Sequence, residues 1–318
     1  MTREERQLTK VQTFLLCGGV LGFVVLLLVI GCAGVTNSRV RIWTMTARYF
    51  DPEKGKYPSL DDPIFGMKFR VTGVLNPRKF ADLFGFWVFL TKPHRPKRVP
   101  VLMVHGHWTG PPVFKKLSGA LDTERFEPWY TYYPTGLKLT ENASMLRVGL
   151  SRLCHYYRQE QVAVVAFSLG GLVVRQALRP ANDGFSMPKV PILIGVANPW
   201  GGSVKTRPGA QLSFAAKDGS RIAMAESWEQ MIDQSEFISE LFIDPLPKET
   251  QFHMIYGVGG HDDFLAGRDD GALPEASLGR KEAVESATSV TIFEDLTHAN
   301  IIYADKAIDK TVALLEAM

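Results

Sequence analysis

From about residue 98 onward, short apolar runs alternate with longer stretches whose apolar residues recur every three or four positions. A short β-branched run bounded by turn residues predicts a buried strand, and the three-to-four spacing predicts a helix. Strands are expected over residues 98–104, 129–133, 162–165, 191–196, 251–258 and 289–293, and helices over 113–121, 142–159, 172–178 and 301–316. Such alternation implies an α/β fold: a mainly parallel sheet with helices on both faces. In these sheets functional groups collect at the carboxyl ends of the strands.

Residues 39–97 read as an irregular lead-in, broken at Asp51-Pro52, Tyr57-Pro58 and Asp62-Pro63, with one strand over 84–90. Residues 200–250 interrupt the alternation with short helical segments rich in Trp228, Met231, Phe237 and Phe242, which read equally as a cap over a pocket or as ordinary helix packing. The body therefore spans 98–318, with 200–250 as an insertion.

The first 38 residues follow a different pattern. No charge occurs between Lys10 and Arg39, the run from Phe14 to Val35 is almost wholly apolar, and Arg3, Arg6 and Lys10 precede it. About 20 apolar residues cross a bilayer, so a membrane device is expected here, in one of two forms. One is an uncleaved single-span anchor. The other is a bacterial lipoprotein signal, because Val29-Ile30-Gly31-Cys32 resembles a lipobox in which Cys32 would be acylated. Either form puts the body at a membrane, and in a bacterium it would lie in the cell envelope outside the cytoplasm.

Composition narrows the rest. The 318 residues are 46% hydrophobic and 22% charged with a net charge of +3, and no basic block carries interleaved aromatics, so nucleic-acid binding is not expected. The cysteines are Cys17, Cys32 and Cys154. They form no disulfide framework or CxxC metal motif, and Cys154 reads as a small buried hydrophobe.

The chemistry centres on Ala166-Phe167-Ser168-Leu169-Gly170-Gly171, between a β-branched run and a helical run. A serine hydroxyl is a weak nucleophile that needs a base and fixed geometry. A sharp strand-to-helix turn exposes it above the sheet, provided the residues two before and two after are small. Here these are Ala166 and Gly170, the alanine being one methyl larger than the usual glycine.

A base is sought at another strand end. Of the seven histidines, His298 follows the last strand directly, whereas His94, His155 and His253 read as packing or surface residues. The acid that orients it should lie between Ser168 and His298, where Asp262, Asp263, Asp269 and Asp270 follow the 251–258 strand. Asp270 precedes a glycine in a turn suited to holding a carboxylate. An oxyanion requires backbone N–H donors in place, expected from Leu169 and, beyond His105-Gly106, from His107. His105 and His107 also admit reading as a metal pair, and His261-Asp262-Asp263 as a cation site.

Together these segments resemble the α/β-hydrolase superfamily, in particular bacterial lipases and esterases. The likeness rests on Val101 to His107, Val165 to Gly171, Asn198-Pro199-Trp200-Gly201-Gly202-Ser203, Asp269-Asp270-Gly271-Ala272-Leu273-Pro274 and Leu296-Thr297-His298. It implies Ser168, Asp270 and His298 as a triad in the family's chain order, with His107 and Leu169 as the oxyanion donors and no cofactor. Ester or acyl-lipid substrates are the expectation. A phospholipase or thioesterase of the same fold is an alternative, and a catalytically silent hydrolase fold used for binding is the rival from another class.

Overall fold

The computed structural model describes residues 50–181, 184–206, 225–263 and 265–318. The expected anchor, Cys32 and the middle of the 200–250 insertion lie outside them. Among the described residues no helix is long and apolar enough to cross a membrane.

Among the described residues seven strands form one sheet: β1 (Trp87–Leu90), β2 (Val99–Val104), β3 (Phe126–Tyr132), β4 (Ala163–Phe167), β5 (Ile192–Val196), β6 (Gln251–Gly257) and β7 (Ser289–Phe293). Their spatial order is β1-β3-β2-β4-β5-β6-β7. Only β1 runs antiparallel, against β3; every other pair is parallel. Parallel pairing is a consequence of the helices inserted between strands, since a crossover must return the chain to the same end of the sheet. The central strands β2 and β4 are apolar on both faces because both are covered: Val101 to Val104 and Ala163 to Ala166 are fully buried.

Ten α-helices flank this sheet or cap its ends: α1 (Met67–Leu75), α2 (Pro77–Leu83), α3 (Lys115–Ala120), α4 (Leu139–Tyr157), α5 (Leu169–Leu178), α6 (Glu226–Met231), α7 (Glu236–Glu240), α8 (Glu275–Leu278), α9 (Lys281–Ser286) and α10 (Asp305–Glu316), all among the described residues. In α4 the buried stripe is Leu139, Ala143, Leu146, Leu150 and Leu153, the three-to-four spacing of a helix lying on a sheet. It stops at Arg158, whose φ of 55° is left-handed.

The lead-in is more ordered than its prolines suggest. Asp51 and Asp62 cap short 3₁₀ turns that begin at Pro52 and Pro63, and Asn76 caps α2 at Pro77. Proline here starts helices, because its fixed φ suits the first turn and its missing N–H costs nothing there. α1 and α2 were hidden because each buries only one or two residues, leaving no long apolar period. From residue 50 onward the lead-in belongs to the same compact unit as the body. Its Phe65, Phe80, Phe84 and Trp87 surround Tyr132 at the end of β3.

Candidate active site

The turn between β4 and α5 places Ser168 at φ 52°, ψ −128°, a conformation that costs a non-glycine residue of order 1–3 kcal/mol. Close packing holds it there. A Cβ on Gly170 would lie 2.4 Å from the Val104 carbonyl oxygen, and one on Gly106 would lie 2.6 Å from Ser168 Cβ. Both positions therefore require glycine. The extra methyl of Ala166 is wholly buried, opposite Gly195 in the β4–β5 ladder, so the alanine fits in place of the usual glycine.

One residue that sequence reasoning had placed only within a matching segment braces this turn. Asn198, just beyond β5, donates from Nδ2 to the carbonyls of Ala166 (3.0 Å) and Ser168 (2.7 Å). Gly171 and Gly195 make room for it, since a Cβ on either would come within 2.3 Å of its amide. The Ser168 N–H in turn donates to the Val196 carbonyl at 2.8 Å. A buried asparagine just past a strand, in step with glycines on its neighbours, is the signal that could have revealed this brace.

Three side chains from three strand ends meet. His298 Nε2 lies 3.0 Å from Ser168 Oγ, and His298 Nδ1 lies 2.7 Å from Asp270 Oδ2. The Asp270 carboxylate is fully buried, and its Oδ1 accepts the N–H groups of Ala272 (2.9 Å) and Leu273 (2.7 Å). The His298 N–H donates to the Asp270 carbonyl at 2.7 Å, tying the two loops together. Phe167 packs against the imidazole, with ring centroids 5.4 Å apart. This arrangement leaves His298 Nδ1 donating to the carboxylate and Nε2 free to accept the serine proton.

The other acids are occupied elsewhere. Asp269 accepts the N–H groups of Gly271 (2.6 Å) and Asp262 (3.3 Å) and shapes the turn. Asp262 pairs with Lys205 at 2.5 Å. Asp263 faces solvent beside an equally exposed His261, the two side chains 88% and 87% accessible. Of the remaining histidines, His94 is buried against Glu127 at 2.7 Å and His253 bonds Ser289 Oγ at 2.8 Å, while His155 is exposed.

The loop after β2 runs beside the serine at Gly106. His105 is buried, stacks on Tyr133 with centroids 4.4 Å apart, and its Nδ1 lies 3.0 Å from the Gly106 carbonyl oxygen. Desolvation lowers its pKa to about 4, with Arg70 adding to the shift and the bond to Gly106 opposing it. The His107 ring accepts a hydrogen bond at Nε2 from Trp228 Nε1, 2.6 Å away. Indole N–H only donates, so this nitrogen carries no proton. Desolvation likewise lowers the His107 pKa, to about 3, with the nearby Thr135 backbone opposing the shift. The two rings thus make separate contacts, and among the described residues no group of three or more His, Cys, Asp or Glu side chains could hold a metal ion. Leu169 begins α5, where an N–H has no partner within the helix and the helix dipole favours negative charge.

No protein-family model matches the chain, and no curated protein matches it. Solved structures do. The mature lipase BlEst2 of Bacillus licheniformis is 18% identical, covering 72% of this chain and 97% of its own, with a TM-score of 0.54. The lin2722 gene product of Listeria innocua is 16% identical, covering 70% and 95%, with a TM-score of 0.52. Lipase B of Aspergillus fumigatus is 18% identical, covering 72% and 56%, with a TM-score of 0.51. At these identities the likeness speaks for the fold: the chain has the α/β-hydrolase fold.

Proposed function

We propose that this protein is a serine hydrolase that cleaves carboxylic esters by way of an acyl-enzyme. The observation that carries the reading is the continuous chain Ser168 Oγ, His298, Asp270, with spacings of 3.0 and 2.7 Å, ending on a buried carboxylate. Ser168 Oγ attacks the ester carbonyl while His298 Nε2 takes its proton. Asp270 holds the tautomer and stabilises the imidazolium. The tetrahedral oxyanion receives the N–H groups of His107 and Leu169. Collapse expels the alcohol, which takes the proton back from His298, and water then attacks the acyl group by the same route, regenerating Ser168.

Acyl lipids are the substrates we favour. The support is the apolar run from Phe14 to Val35, which would tether the site at a bilayer in the cell envelope, with Cys32 as the lipidated residue if the lipobox is used. The three solved relatives add only that two of them are named lipases. Fluorophosphonate labelling tests the reaction class: an adduct on Ser168 is expected, and its absence in folded protein sinks the proposal. Rates on p-nitrophenyl esters of increasing chain length test the substrate class. Intact mass of membrane-extracted protein tests the tether, since retention of Met1 excludes lipoprotein processing.

A further inference from the structure

The contact between Trp228 and His107 spans 121 positions of sequence and joins the insertion to the loop beside the nucleophile. Its insertion side is firmly held. In α6 the Ser227 N–H donates to the Gly136 carbonyl at 3.1 Å, and the Met231 carbonyl accepts the Ser203 N–H at 2.7 Å. Gln230 Oε1 accepts the Leu139 N–H, and Glu226 pairs with Arg78, which also forms a two-pronged pair with Glu141. Trp228 is nearly buried, at 8% exposed, and its ring packs edge-on against His107.

The loop side needs such support. It follows the tight approach at Gly106, and Trp108 carries a left-handed φ of 58°. Within the loop, Thr109 Oγ1 donates to the Gly106 carbonyl at 2.9 Å, which closes the turn but does not set the direction of His107. That direction matters because the N–H of a residue points where its side chain and neighbouring peptides allow. A catalytic group misplaced by about 1 Å can cost about 100-fold in rate, and an oxyanion donor acts only from its proper position.

We infer that Trp228 is a positioning residue: its indole N–H, by holding His107 Nε2, aims the His107 backbone N–H at the oxyanion. The inference rests on the acyl-transfer reading above. It makes the insertion part of the catalytic apparatus, acting through His107 without touching the reacting atoms. It also explains why a histidine suits this position, since the neutral ring offers the indole a lone pair.

The test uses the full-length protein and p-nitrophenyl butyrate. Trp228→Phe keeps the ring and deletes the N–H. It is expected to lower kcat about tenfold with KM within about twofold, because the lost interaction serves the transition state. His107→Phe deletes the acceptor and should give the same loss, and the double variant should be no worse than the poorer single one. Trp228→His restores a donor and should recover part of the rate. Wild-type kcat in Trp228→Phe, or losses that multiply in the double variant, overturn the inference. If Trp228→Phe does not fold, His107→Phe carries the test through its kcat-against-KM split. Failure of the acyl-transfer reading would look different: the wild-type protein would neither turn over the ester nor take up the fluorophosphonate.

Discussion

Replacing Asp270 by asparagine changes one atom, and the surrounding hydrogen bonds dictate the consequence. Oδ1 accepts two backbone N–H groups, from Ala272 and Leu273. An asparagine must keep its oxygen there, because its amide nitrogen would meet two donors. The NH₂ group then occupies the Oδ2 site, 2.7 Å from His298 Nδ1. Two donors cannot face each other, so the imidazole moves its proton to Nε2 and presents Nδ1 as the acceptor. Nε2 then no longer accepts the Ser168 proton across the 3.0 Å contact. A wrong tautomer of this kind costs about 10⁴ in kcat, or about 5 kcal/mol of transition-state stabilisation. Because both backbone bonds survive, thermal stability should change little. The assay is initial rates on p-nitrophenyl butyrate together with a melting curve, with Asp263→Asn as the control. Asp263 is exposed, and its replacement should leave kcat within about twofold. Loss of turnover in Asp263→Asn with activity kept in Asp270→Asn would refute the reasoning.

Three further outcomes are expected. Asn198→Ala removes the two donations to the Ala166 and Ser168 carbonyls and should cost about 1–3 kcal/mol in chemical denaturation, with a fall in kcat as the turn relaxes; unchanged stability would deny the brace. Gly106→Ala puts a methyl 2.6 Å from Ser168 Cβ, and kcat/KM should drop at least about 100-fold in protein that remains folded by circular dichroism. His105 protonates near pH 4 in the folded protein and near 6.5 when unfolded, so the unfolded chain takes up the proton first. Its contribution to stability is complete above about pH 6.5 and is lost progressively down to about pH 4, by about 3 kcal/mol in total. Urea unfolding at pH 7 and 4.5 should therefore show a smaller loss in His105→Gln than in the wild type, and equal losses would disprove the assignment.

Much of the site could be read before folding was considered. Ser168 was marked by its local setting, a β-branched run, small residues and a helical run, because the sterics of a sharp turn act between near neighbours. His298 was marked by following the last strand. The four candidate acids show where such reading stops. Asp262, Asp263, Asp269 and Asp270 lie within nine positions, and propensity treats them nearly alike. Asp270 is set apart by the N–H groups of Ala272 and Leu273 and by the arrival of a histidine 28 positions away.

The same division holds across the molecule. Hydrophobic period and turn chemistry determined the parallel α/β sheet, the order of its strands along the chain and the residues at their carboxyl ends, since strand or helix formation depends on residues a few positions apart. Helix α4 begins at Leu139, three residues before the predicted start, because Gln230 receives its first N–H. Asn198 braces a turn 30 positions away, and Trp228 reaches His107 across 121. Those partnerships exist only once sheet register and crossovers bring distant segments within about 3 Å, the range at which a hydrogen bond forms. Residue type and local spacing mark which groups could carry the chemistry. Which of them face one another depends on the packing of segments far apart in the chain.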